Sequence, residues 1–175
     1  SYLKNNRENY VKSNSVKIEY VFVPDAASNL DENNIFTNLE LLKDGYTEIN
    51  QVTNSPEEIT GFKDVNDYAD FIDVHSEVTW DSIYKTRQEL SSDFSDILFE
   101  LNIGQVFGPY KDGNSYKISR MIDKKREGSL NKVLIADVVK EIIPSTESTN
   151  NNYRIASQAE FDANNKDRKS TRLNS

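Results

Sequence analysis

The chain has 175 residues, enough for one ordinary domain with extensions at its ends. Hydrophobic residues make up 36% and aromatic residues 10%, which allows one modest core and argues against wholesale disorder. A formal net charge of −8 disfavours binding to nucleic-acid phosphates or to a membrane through a basic patch; the lack of Cys excludes disulfides, thiolate nucleophiles and Cys-based zinc sites, and a single histidine, His75, excludes multi-His metal sites.

Residues 1–14 read as the end of a helix, with Tyr2, Leu3, Tyr10 and Val11 at helical spacing. The run VKIEYVFV, residues 16–23, alternates as a strand, with Val16, Ile18, Tyr20 and Phe22 on one face, and Pro24 stops it. Ser28 with Asp31 marks a helix start; the helix is expected through about Lys43 with Leu30, Ile35, Leu39 and Leu42 on one side, ended by Gly45. Residues 46–63, with Asn54-Ser55-Pro56 and Gly61, read as a loop. Asp64 to Val74 is expected to be a short helix burying Val65, Tyr68, Phe71 and Ile72, and residues 75–91 an irregular segment anchored by Trp80, Ile83, Tyr84 and Leu90. Ser92 to Leu101 carries Phe94, Ile97, Leu98 and Leu101 at i, i+3, i+4, i+7, a short amphipathic helix.

A hairpin follows: Gln105 to Lys111 and Asn114 to Ile122 as strands, with Asp112-Gly113 as a type I′ turn. Residues 124–131 read as a basic linker. The run KVLIADVVKEII, 132–143, is rich in β-branched residues and reads as a further strand, with a helix as the alternative; Pro144 ends it, and a weak helix is expected over 146–163. Residues 166–175 form a basic tail, read as a disordered or non-native end.

No G-x-S-x-G elbow, P-loop or G-x-G-x-x-G run is present. The stretch Asp64-Val65-Asn66-Asp67 has calcium-loop flavour, but Tyr68 takes the next oxygen-ligand position and the loop glycine is missing. His75 could serve as a general base by its ordinary pKa, yet its polar context favours a structural role. Trp80, Tyr84, Phe94, Phe99, Phe107 and Tyr110 could line a peptide groove, with core packing as the simpler account.

FSDILFELNIGQVFGPYKDGNSYKISRM resembles the C-terminal half of a parvulin-type peptidyl-prolyl isomerase domain, whose F-x-L-x-x-G-x-[IV]-x-G-P run is matched by Phe99, Leu101, Gly104, Val106, Gly108 and Pro109. VKIEYVFV is similar to the family's opening strand. The flanking YLKNNRENYVKS and VVKEIIPSTESTNNNYRIASQAEF resemble segments that border such domains in SurA/PpiD-type foldases. The resemblance implies an α+β fold: a parvulin-like four-stranded antiparallel sheet packed with short helices over residues 15–123, joined by the linker 124–131 to a strand–helix flanking segment at 132–165.

It also implies site positions. The family's first histidine falls at Tyr20, its second at Lys117, a small polar position at Asn114, and its central Cys or Asp near Val78. Leu90 and Phe94 match the apolar pair that flanks a substrate proline. With both histidines replaced, the resemblance implies a weak or non-catalytic isomerase domain of a periplasmic folding factor. Its partners would be unfolded or proline-containing polypeptides, it would need no cofactor or metal, and an inner-membrane anchor would lie in a segment before Ser1. The alternatives are an active isomerase with an atypical site and a non-enzymatic α+β interaction module.

Overall fold

The computed structural model describes residues 20–90 and 93–173, with side chains described to residue 165. Asp25–Thr149 forms one compact unit, and the described residues outside it, 20–24 and 150–173, belong to a second. The first unit is α+β, with helices α1 (Asn29–Asp44), α2 (Tyr68–His75) and α3 (Ser95–Glu100), and strands β1 (Tyr46–Ile49), β2 (Pro56–Ile59), β3 (Val106–Asp112), β4 (Ser115–Glu127) and β5 (Leu130–Glu141). Helix α4 (Thr146–Leu173) begins in this unit and continues into the second, extending into the basic tail.

Each element starts and stops for local reasons. Ser28 caps α1 in a capping box: its hydroxyl accepts from the Asp31 N–H at 3.2 Å, and the Asp31 carboxylate accepts from the Ser28 N–H at 2.8 Å. Gly45, at φ +86°, ends the helix. A Cβ at Gly61 would lie 2.5 Å from the Asp44 carbonyl carbon, so the end of α1 and the chain after β2 touch backbone to backbone. Asp67 caps α2 by accepting from the Asp70 N–H at 3.0 Å; the acidic stretch at 64–67 therefore leads into a helix cap.

The main sheet is antiparallel, in the order β3-β4-β5; β1 and β2 form a separate two-stranded ladder. Strand alternation gives β4 and β5 two distinct faces. Ile118, Ala136 and Val138 point to one core with Leu39, Leu42, Phe62, Phe71 and Ile72, from α1, α2 and the chain before α2. Tyr110, Met121, Val133 and Ile135 point to the other, with Leu98 from α3 and Leu101 just after it. Burying a large apolar side chain such as Ile118 or Phe62 contributes about 1.5–3 kcal/mol relative to exposure. Arg120 ties the first core to its loop, donating to the carbonyls of Phe62 at 2.7 Å and Val65 at 2.8 Å.

Several expectations need correction. The described part of the opening run, residues 20–23, is in no strand, and Tyr20 is 86% exposed; residues 16–19 and the helix expected at 1–14 lie outside the described residues. Among the described residues the sheet that packs with the helices has three strands, β3, β4 and β5. The segment 46–63 holds the β1–β2 ladder, with Tyr46 opposite Ile59, where a loop was expected; the Asn50 side chain accepts from Val52 and Thr53 N–H and closes that turn. The expected linker is the second hairpin: β4 and β5 pair out to Glu127 opposite Leu130, around Gly128 and Ser129.

The first hairpin turns one residue later than expected. Asp112 pairs with Ser115, so Gly113-Asn114 is the loop, with a positive φ at Gly113 but not at Asn114. That is the type II′ pattern, with Gly in the first central position, rather than type I′. Leu30 and Ile97, expected on buried faces, are 60% and 46% exposed.

Candidate functional site

The second face of the main sheet collects most of the candidate residues. The 3₁₀ turn Arg87–Glu89 delivers Leu90, and Phe94 stands immediately before α3; both pack against the second core. Phe94 meets Tyr110 with ring centroids 4.4 Å apart and Phe107 at 6.0 Å, while Phe107 and Tyr110 are 5.2 Å apart. These tilted ring contacts form an aromatic cup on β3, with Leu90, Phe94 and Phe107 half-buried. The β3–β4 ladder breaks between Phe107 and Tyr110, at Gly108-Pro109, a cis bond, and this break lets both rings reach Phe94.

Lys117 lies beside the cup. Its register partners are Tyr110 on β3 and Val139 on β5. Its ammonium donates to Asp112 at 2.6 Å, so the charge is neutralised along its own hairpin.

A chain of hydroxyls crosses the sheet from the cup. The Tyr110 hydroxyl and Ser119 Oγ share a hydrogen bond at 2.7 Å, and Ser119 donates to Asp137 Oδ1 at 2.5 Å. Asp137 as a residue is half-buried, but its carboxyl is deep enough that loss of solvation raises its pKa, against the lowering effects of the Ser119 bond and the Lys117 and Lys85 charges. Burial, followed by the neighbouring Asp137 charge, raises the Tyr110 phenol. Asp137 opens into a cavity of about 300 Å³ whose lining includes Val78, Trp80, Asp81, Lys85 and Lys117. Trp80 is fixed there by donating from Nε1 to the Ile135 carbonyl at 2.9 Å and by an edge contact with Tyr68.

The structure thus brings Leu90, Phe94 and Lys117 to one sheet face and sets Val78 in the same cavity as Lys117. It does not bring Asn114 there: its side chain donates to the Ile142 carbonyl at 3.1 Å and its own carbonyl accepts from Ile142 N–H, so it fastens the end of β5. Tyr20 falls in the second unit, in no strand. His75 packs against Phe71 at 4.4 Å, and burial first, then the Lys140 charge, lowers its pKa; it closes α2. Asp137 and Ser119 were missed as site residues. The legible signal was Asp137 flanked by apolar residues on both sides in VLIADVV, where an apolar strand tolerates a carboxyl only with a partner.

Among the described residues no group of three or more His, Asp or Glu is placed to hold a metal ion. The arrangement offers an apolar cup for a ring or aliphatic side chain and hydrogen-bonding groups beside it. No family model, curated protein or solved structure matches the chain.

Proposed function

We propose that this chain carries a parvulin-like domain of a periplasmic protein-folding factor that holds client polypeptides and has little or no isomerase activity. The observation that carries the reading is the cup. Leu90 and Phe94, the two residues aligned with a proline pocket, pack with Phe107 and Tyr110 on the sheet face that also carries Lys117. The F-x-L-x-x-G-x-V-x-G-P run supplies Phe107 and Tyr110 from within and just beyond itself, which supports a shared architecture around the pocket.

Rotating a prolyl amide means crossing a barrier of about 18–20 kcal/mol without breaking a covalent bond. A site lowers it by taking the amide out of water and favouring the twisted form. The cup can desolvate a proline ring. The polarising part is weak: Lys117 is already paired with Asp112, and its neighbours across the ladder are a phenol and a valine rather than an imidazole. Anchoring to the inner membrane by a segment outside this chain belongs to the same proposal; no helix of the described residues is long and apolar enough to cross a membrane.

The test is suppression of aggregation of an unfolded client. The full chain is expected to delay aggregation, and Phe94→Ala and Leu90→Ala are expected to weaken the effect. No delay with the chain in excess would overturn the reading.

A further inference from the structure

The outer edge of β5 is covered at both ends and open in the middle. The β5 residues whose backbone groups point away from β4 alternate through Val133, Ile135, Asp137, Val139 and Glu141. At one end, Val133 exchanges two backbone bonds with Lys85, at 2.8 and 2.9 Å. At the other, Val139 accepts from Glu77 N–H at 3.0 Å and donates to Ser76 Oγ at 3.1 Å, and Glu141 N–H donates to the Glu77 carboxylate at 2.6 Å. Between them the chain swings away, and only the Trp80 indole returns, to the Ile135 carbonyl. The outward N–H of Ile135 and the outward N–H and C=O of Asp137 have no partner among the described residues. The cavity opens at this gap.

We infer that the gap is a strand-addition site, in which a short extended polypeptide pairs with the backbone of Asp137 and places a basic side chain in the cavity beside Trp80. Unpaired edge groups recognise an extended backbone, and a pocket beneath the edge reads alternate side chains. A volume of about 300 Å³ suits a short stretch of chain rather than a whole strand. The choice of a basic side chain follows from charge. Asp81, Asp137 and Glu141 line the cavity with Lys85 and Lys117; Lys85 is taken by Asp81 at 3.2 Å and Lys117 by Asp112. Asp137 and Glu141 are left in excess, and the indole of Trp80 adds a surface that favours a cation. The inference deepens the client-binding reading by adding a second subsite, distinct from the cup.

The test uses the full chain and three labelled peptides: Thr-Val-Arg-Val-Thr, its Glu-centred counterpart, and the Arg peptide with its central amide N-methylated. The Arg peptide is expected to bind at least about 10-fold tighter than the Glu peptide, a difference typical of charge complementarity in a partly buried pocket. N-methylation is expected to weaken it, and hydrogen exchange at the Asp137 and Ile135 amides should slow in the complex. Asp137→Asn should reduce the preference for Arg; if that variant does not fold, the N-methyl peptide still probes the backbone pairing on the unaltered chain. Equal binding of Arg and Glu peptides, or unchanged exchange at Asp137, would overturn the inference, as would pairing of this edge with a second copy that no peptide displaces. Phe94→Ala separates the two proposals: it should weaken client holding and leave Arg-peptide binding intact, whereas Arg-peptide binding by an unaltered chain that holds no client keeps this site and sinks the cup.

Discussion

Asp31 and Asp137 show how the same side chain acquires opposite pH behaviour from its surroundings. Asp31 accepts from Ser28 and, across the fold, from Ser148 Oγ at 2.6 Å; that last bond first, then the Ser28 backbone, holds its pKa below the ordinary 3.8. A lowered folded pKa contributes stability that is complete above the ordinary value and is lost as pH falls through the folded one. The raised pKa of Asp137 works the other way: its burden on the folded state appears as pH rises past 3.8 and is complete above the folded pKa. Urea unfolding at about pH 7 and about pH 3 should therefore show Asp31→Asn clearly destabilised at the higher pH, with the gap to wild type closing in acid. A gap independent of pH would mean that the carboxylate charge is not what Ser148 holds. Ser28→Ala, which removes the other half of the capping box, should cost about 1 kcal/mol in the same measurement.

At the scale of elements, the β3–β4 hairpin positions the cup, and its most constrained point is Gly108. The residue sits at φ +113°, and a Cβ there would lie 2.6 Å from the Lys117 carbonyl oxygen. Gly108→Ala should destabilise the chain by at least about 2 kcal/mol, from backbone strain and from displacement of β4. It should also loosen the Phe94–Tyr110 contact, visible in near-ultraviolet circular dichroism. A variant as stable as wild type would show that the hairpin relaxes freely at this bend.

The same hairpin shows what the sequence could reveal. Alternation placed both strands within a residue or so at most of their ends, but Asp-Gly and Gly-Asn are both good two-residue loops, and the register that buries Ile118 and Met121 selects the second. The expected linker failed as a linker because Lys124, Lys125 and Arg126 are exposed strand residues, and their polarity masks the pairing around Gly128. In contrast α1 was legible to within a residue at each end, because Ser28, Asp31 and Gly45 each act locally.

For the molecule as a whole, the α+β class was legible, and the partner of β4 was not. VKIEYVFV and KVLIADVVKEII carry the same local signal of β-branched residues, and only long-range packing decides which one completes a sheet. In the structure the second pairs with β4, and its Ala136 and Val138 fill one core while Val133 and Ile135 fill the other. Of the candidate site, the apolar half was legible because Phe94 opens an i, i+3, i+4, i+7 pattern and Leu90 is an apolar anchor in the irregular segment before it. The polar half depends on Asp137 meeting Ser119 across a ladder, which no spacing in the sequence encodes.

The central claim is an aromatic cup that holds a proline ring with too little polarising chemistry to turn a prolyl bond. Exchange spectroscopy on an Ala-Pro peptide tests it directly, because one spectrum reports both binding and the cis–trans rate. The expected result is peptide shifts that Phe94→Ala removes, with the exchange rate at or close to that of the free peptide. An exchange rate raised well above the free peptide's, and abolished by Phe94→Ala, would contradict it and make the domain an active isomerase.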